Sequence, residues 1–343
     1  MIRASAERYA ADMAPSLAEL PRFELIADPS PLAPLPRLSA ALGDRAELWI
    51  KREDLLPLAF GGNKLRNLEY LIGAALAEGA DTLITAGRRW SNHCRLTAAA
   101  GAVAGLEVQV VLSGPATDPP NPGRRLDELL GARVHQLATA DRAERDAMVQ
   151  SVAAQVRDAG GRPYVIGVGG GGAVGAAGQV RAAAELIGQS RGLGIDLDAV
   201  VLPSATGATQ AGLMAGLAAA GADVAVVGVA VAHPPAMLQL TIAALLTDLA
   251  ELTAVPVDPG RIVVDGDQLG PGYGRPTRDA GEAGHLLATT EGLLVDPIYT
   301  AKALAGLIAR VRAGGFDGQR VVFWHAGGLP GLFEPLEGES LGG

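Results

Sequence analysis

The chain has 343 residues, of which 49% are hydrophobic and only 4% aromatic, and its formal net charge is −9. Ala, Val, Leu and Gly supply most of the apolar content, which is the composition of an α/β protein with buried parallel strands and excludes a β-sandwich or a disordered chain. The negative balance argues against a general nucleic-acid or membrane-surface binder, and the single cysteine, Cys94, excludes an intrachain disulfide or a cysteine-rich zinc site.

In chain order, residues 1–45 are broken by Pro21, Pro29, Pro31, Pro34 and Pro36 and read as a short helix followed by an extended arm. Glu47–Arg52 reads as a strand and Leu65–Ala80 as a helix, with Leu68, Leu71, Ile72, Ala75 and Leu76 at helical spacing. Thr82–Thr85 is a strand, Gly87–Asn92 a loop, His93–Ala104 a helix and Val108–Leu112 the next strand. A Pro/Gly-rich loop at Pro115–Arg124 leads to a helix, a strand at Arg133–Leu137 and a helix over Ala140–Ala159. Tyr164–Val168 is a strand running into Gly169–Gly172, with a helix to Ile187. Strands follow at Ala199–Pro203, Val224–Val231, Arg261–Val264 and Arg320–Trp324, with helices at Ala211–Ala220, Pro235–Leu252, after the Leu269–Arg278 loop, and at Asp296–Ala313. Such alternation predicts open, mostly parallel sheets with helices on both faces. No linker cuts the chain, so a second domain reads as an insertion.

Candidate chemistry begins at Phe60-Gly61-Gly62-Asn63-Lys64. Two glycines make a tight corner that presents one amine, and a lysine shielded there can lose its proton and attack a carbonyl. An ordinary solvated lysine at a helix start explains the same residues. Gly170, Gly172 and Gly175 satisfy G-x-G-x-x-G, yet the next strand ends in Ser204-Ala205-Thr206 without the acidic residue a dinucleotide site needs. The Ser204–Gln210 loop reads as a better anion cradle, since it leaves a strand, carries hydroxyls and Gly207, and enters a helix at its amide end, or as a Ser/Thr-rich helix cap with no ligand. Tyr273 and Tyr299 are packed core rings or acid–base groups. Ser91-Asn92-His93 offers donors for a carboxylate or phenolate, or a plain helix cap. The histidines, His93, His135, His233, His285 and His325, show no metal-ligand spacing, so no metal is expected. There is no apolar span of membrane length and no signal-peptide block, so the expectation is a cytoplasmic protein without a membrane partner.

Six motifs stand in one order: Gly61-Gly62-Asn63-Lys64, Ser91-Asn92, Thr206-Gly207-Ala208-Thr209-Gln210, Tyr273-Gly274, Glu291-Gly292 with Asp296-Pro297-Ile298-Tyr299, and His325-Ala326-Gly327-Gly328. Over roughly residues 20–335 the chain thereby resembles the D-cysteine desulfhydrase and 1-aminocyclopropane-1-carboxylate deaminase family of pyridoxal-phosphate enzymes, within the tryptophan synthase β-chain-like fold. The resemblance implies a large cofactor-binding domain of residues 1–66 plus 173–343, a smaller domain inserted at 67–172, the cofactor pyridoxal 5′-phosphate in the cleft between them, and a homodimer. It implies that Lys64 forms the Schiff base with the cofactor aldehyde and later carries a proton. Thr206, Gly207, Ala208 and Thr209 would hold the phosphate, Asn92 the phenolic oxygen, and Thr300 would stand at the pyridine nitrogen. Ser91, Asn92 and His93, with Trp90 and Arg89 before them, would receive a small amino-acid substrate, and Tyr299, Tyr273 and Ser91 would share its chemistry with Lys64.

Thr300 stands where the cyclopropane deaminases, as the resemblance implies, carry Glu. A neutral hydroxyl holds the ring nitrogen protonated less well than a carboxylate does, which favours Cα-proton abstraction and β-elimination over ring opening. The expected activity is therefore a desulfhydrase-like α,β-elimination giving a keto acid, ammonia and a leaving group. The alternatives are cyclopropane-carboxylate deamination and a catalytically idle cofactor-binding protein. Two departures bear on the substrate: Arg88-Arg89-Trp90 replaces the family's small apolar approach to Ser-Asn, and Ala326 stands where desulfhydrases often carry Thr. Cys94 reads as a buried, inert thiol.

Overall fold

The computed structural model describes Leu17, residues 19–117 and residues 120–334. The short helix expected at the start of the chain lies outside these residues. The arm that follows is not simply extended, since it contains strand β1 (Leu32–Pro34) and helix α1 (Pro36–Ala41). Beyond it the elements are β2 (Glu47–Arg52), α2 (Lys64–Ala77), β3 (Thr82–Arg88), α3 (Asn92–Ala104), β4 (Glu107–Ser113), α4 (Pro122–Leu129), β5 (Arg133–Leu137), α5 (Arg142–Asp158) and β6 (Pro163–Val165). The chain continues through α6 (Ala173–Leu193), β7 (Ala199–Ser204), α7 (Ala208–Ala219), β8 (Ala225–Ala230), α8 (Pro235–Thr253), β9 (Val263–Asp265), α9 (Arg278–Glu291), α10 (Thr300–Arg312) and β10 (Arg320–His325).

The strands form two sheets. Six strands in the order β1-β2-β10-β7-β8-β9 make the larger, and four in the order β5-β4-β3-β6 make the smaller. Among the described residues only β1 runs antiparallel to its neighbour. Alternation along each strand sends side chains to opposite faces. Val200, Leu202, Val226, Val322 and Trp324 therefore pack against α6, α7 and α8, whereas Ala199, Val201, Val227, Val321 and Phe323 pack against α1, α9 and α10. In the smaller sheet Leu83, Val108, Val110 and Leu112 face α2 and α3, while Ile84, Ala86 and Val111 face α5. This is the α/β architecture that the alternating pattern predicts.

Several boundaries differ from the sequence reading, each for a local reason. Strand β3 runs on through Gly87 and Arg88, because its neighbour β4 pairs with it as far as Ser113. Helix α10 starts at Thr300 instead of Asp296, because the Asp296 carboxylate accepts the backbone N–H groups of Ile298, Tyr299 and Thr300 and so caps the turn ahead of it. Helix α8 is long and apolar enough, by length and composition, to cross a membrane, while Leu238, Ile242, Leu245, Leu246 and Leu249 bury its inner face in the core.

A buried ionic network fixes the start of α2. Arg66 donates to Glu53 Oε2 at 2.6 Å and to Glu185 Oε2 at 2.9 Å, and Lys51 Nζ lies 2.5 Å from Glu185 Oε1. Glu53 follows β2 and Glu185 lies in α6, so three elements are tied two residues from Lys64. Buried pairs of this kind serve geometry more than net stability.

Candidate active site

A cavity of about 420 Å³ opens at the carboxyl ends of both sheets. Gly87, Arg88 and Ser113 reach it from β3 and β4; Ser204 to Gly207, Ala232, Ala326 and Gly327 reach it from the ends of β7, β8 and β10. Ligands of open parallel sheets bind at this edge.

Lys64 opens α2 and lines the cavity. Its corner is built by close backbone approach. Gly61 and Gly62 have φ of +63° and +131°, and a Cβ on Gly61 would sit 2.1 Å from the Asp54 carbonyl oxygen. Burial lowers the Lys64 ammonium to about 8. An amine in that range is free often enough at neutral pH to act as a nucleophile.

The Ser204–Thr209 loop enters α7 through Gly207 at φ +80°. The first amides of α7 and the hydroxyls of Thr206 and Thr209 thus border one space, and the buried Ser204 hydroxyl has no hydrogen-bond partner. Asn63 Nδ2 donates to Thr209 Oγ1 at 2.9 Å, which couples this loop to the lysine corner.

Ser91 caps α3, its Oγ accepting the Cys94 N–H. Asn92 Oδ1 accepts from Arg95 Nη1 at 2.6 Å, which leaves the amide N–H groups of Asn92 for the cavity. Thr85 Oγ1 donates its only proton to the Ile166 carbonyl, so it accepts from His93 Nε2 at 2.9 Å. His93 Nδ1 is then a lone-pair acceptor without a partner. Burial first, and the Lys64 cation second, lower His93 to about 3, so it is neutral.

Opposite stand the two tyrosines, whose hydroxyls share a hydrogen bond and whose ring centroids are 5.8 Å apart. Burial raises both phenols, Tyr299 well above the ordinary value with Tyr273 beside it. Trp90 packs edge-on against Tyr273 at 5.9 Å.

The pyridoxal-phosphate-dependent enzyme family model matches residues 24–327, nearly the whole chain. The chain belongs to that family. It is 43% identical over 323 residues to the D-cysteine desulfhydrase of Salmonella typhi, covering 92% of this chain and 97% of the relative. A solved ACC deaminase homologue is 36% identical, with a TM-score of 0.86 over 93% of this chain and 95% of that one. A solved threonine deaminase, at 19% identity and a TM-score of 0.64 over 94% of this chain and 98% of that one, shares the fold.

The donor set of this family member fits pyridoxal phosphate. Lys64 is the only lysine lining the cavity among the described residues, as an aldehyde requires. The helix N-terminus, Thr206, Thr209 and the unpartnered Ser204 hydroxyl suit a phosphate. Capture of the cofactor by cofactor-free enzyme is expected to accelerate with pH up to about 8 and level off above it, because only the deprotonated amine attacks. Stopped-flow absorbance measures this, and a rate that does not change between about pH 6 and about pH 9 would place the controlling ionisation elsewhere.

Gly207→Val is expected to raise the Kd for pyridoxal phosphate by about 10-fold or more. A left-handed φ is strained for any side chain, and the new Cβ would sit 2.8 Å from Ile242 Cγ1. Fluorescence titration checks this against Ser151→Ala on the exposed face of α5; equal retention in both variants would remove the loop from the phosphate site.

Among the residues singled out from the sequence, Lys64, Ser91, Asn92, His93, Thr206, Gly207, Thr209, Tyr273 and Tyr299 line this one cavity. Ala208, Thr300, Arg89 and Trp90 do not. Ala208 is buried in the first turn of α7, behind the loop. Thr300 spends its hydroxyl on Asp296 Oδ1 at 2.6 Å. Arg89 is buried over the Trp90 ring, 4.8 Å from its centroid, and its carbonyl accepts from Asn121. Trp90 supports Tyr273 from behind, with Ile298 against it. The arginine that does line the cavity is Arg88. Arg142, Arg145 and His233 also line it and carry no motif that would have marked them. Asp296 is the organiser of the tyrosine turn, and its Asp-Pro-x-Tyr spacing is the sequence signal of such a cap.

Proposed function

We propose that this pyridoxal-phosphate enzyme is a lyase of the D-cysteine desulfhydrase type, releasing a keto acid, ammonia and a leaving group from a small amino acid. The observation that carries the reading is the Lys64 amine, lowered to about 8, set in one cavity with a neutral, hydrogen-bonded tyrosine pair. Bound there, the cofactor supplies an electron sink for charge developing at Cα. Lys64 Nζ is the base that removes the Cα proton. Tyr299, protonated and tied to Tyr273, donates toward the departing group on Cβ. The Ser91 cap and the Asn92 amide receive the α-carboxylate, and the buried Trp90 ring and Ile298 side chain, with the half-buried Tyr273 ring packed on them, exclude water on that side.

The net change is balanced. The Cα–H bond gives up its proton, the Cβ–S bond breaks with its electron pair on sulfur, and one water converts the three-carbon remainder to pyruvate and ammonium. Thr300 supports elimination over cyclopropane opening, since its hydroxyl is neutral and already engaged with Asp296. The test is simultaneous release of pyruvate and sulfide from D-cysteine by the holoenzyme. Release of 2-oxobutanoate from the cyclopropane substrate, with D-cysteine inert, would assign the deaminase reaction instead. Bound cofactor without release from either would leave a binding protein.

The two sheets support a division into residues 1–66 plus 173–343 and an inserted unit of 67–172, with the reaction between them. The outward face of α8, where Met237 and Leu240 are exposed, supports a homodimer. The free, buried Cys94 is compatible with a cytoplasmic setting.

A further inference from the structure

Three guanidinium groups, Arg88, Arg142 and Arg145, line the cavity beside Lys64, and no Asp or Glu stands among its described lining residues. All three belong to the carboxyl edge of the smaller sheet. Arg88 ends β3, in register with Ser113 at the end of β4, and Arg142 and Arg145 lie in the first turn of α5. The lyase reading uses none of them, because the phosphate cradle lies on the larger sheet and the α-carboxylate falls to Ser91 and Asn92.

Arg88 is the innermost. Its Nε is buried without a hydrogen bond, its guanidinium lies 5.1 Å from the Trp90 ring centroid, and its charge is felt at the Tyr273 phenol. Arg145 is felt at Cys94, directly beneath the Ser91 cap. Its partner Asp146 is 65% exposed, so that pair is screened and exchangeable. Arg142 contacts His233 Nδ1 at 3.2 Å across the mouth, and His233 is held neutral by burial and by Arg142 itself. A wall of like charges whose one paired carboxylate, Asp146, is exposed and outside the cavity lining repels itself and holds a preformed demand for an anion. An amino acid's own carboxylate leaves most of that demand unmet.

We propose that the preferred substrate carries an oxyanion on its β-carbon, a sulfonate or a phosphate, which Arg88 binds with Arg145 and which departs as the leaving group. This rests on the lyase reading above. The bond changes are those of the elimination already given, with the Cβ–X electron pair leaving on sulfite or phosphate, where a guanidinium stabilises the departing charge. D-cysteine offers Arg88 no such partner.

The test compares D-cysteine with the D and L forms of cysteate and O-phosphoserine on the holoenzyme, scoring keto acid together with sulfide, sulfite or phosphate. One oxyanion-bearing amino acid should exceed D-cysteine in kcat/KM by about 10-fold or more, and Arg88→Gln should reduce that ratio by about 10-fold or more. Arg145→Gln, on the rim, should reduce it in the same direction and serves if Arg88→Gln fails to fold. By calorimetry, 3-sulfopropanoate should bind the parent holoenzyme more tightly than propanoate, and this difference should shrink in either variant. D-cysteine turned over best, with an unchanged ratio in both variants, would overturn the inference and leave the lyase standing. Loss of bound cofactor from Arg88→Gln would also overturn it, by giving the arginine to the cofactor phosphate. No keto acid from any amino acid would overturn the lyase reading and this inference with it.

Discussion

Replacing Lys64 by alanine is expected to abolish keto-acid release, a loss beyond the roughly 10²–10⁴-fold that a single acid–base group contributes. In the proposed reading the Lys64 amine would both hold the cofactor and move the Cα proton, and no other lysine among the described residues lines the cavity to replace it. Lys51 is buried against Ser30, Glu185 and Gln189, and Lys302 donates to the carbonyls of Leu269 and Gly272. Neither lines the cavity. Borohydride reduction of the holoenzyme followed by peptide mapping should place the pyridoxyl group on Lys64 and find none in Lys64→Ala. An adduct on Lys51 or Lys302 would sink the assignment.

Tyr299→Phe should cost turnover about 10²–10⁴-fold while the visible spectrum of the bound cofactor is kept. The ring still packs, because Ile298, the Asp296 cap and Tyr273 hold its place. What is removed is one proton donor. Burial raises the Tyr299 phenol, so it is protonated across neutral pH and its rate contribution should be lost only as pH rises through that elevated value. A fall in kcat of less than roughly threefold, far below the range for an acid–base group, would make Tyr299 a packing residue.

The site also shows how a buried carboxylate can act at a distance. Asp296 touches no cavity space, yet it accepts three backbone N–H groups and the Thr300 hydroxyl. Burial pushes its carboxyl up, and these donors oppose that shift. The cap thereby sets where α10 begins and which way Tyr299 points.

Most of the element order was legible from the sequence because it depends on local causes. Apolar runs such as Ala199-Val200-Val201-Leu202 must be buried on both faces, and glycine is the residue that accepts the left-handed corners before Lys64 and at Gly207. The motifs that carry the chemistry lie at such corners, so Lys64, the phosphate loop and both tyrosines could be named before any coordinates. The direction of Arg88 and Arg89 could not. They read as one loop, but pairing with β4 extends β3 through Arg88, and neighbouring residues at a strand end point to opposite sides. Arg88 is thereby turned into the cavity and Arg89 behind Trp90. Arg142, Arg145 and His233 join the site only because the smaller sheet folds against the larger, bringing residues 91 positions apart within hydrogen-bond reach. Local pattern predicted the fold class, and the resemblance carried by six ordered motifs implied the cofactor and the lysine that would hold it; long-range strand register and the packing of one sheet against the other decided which charges line the cavity.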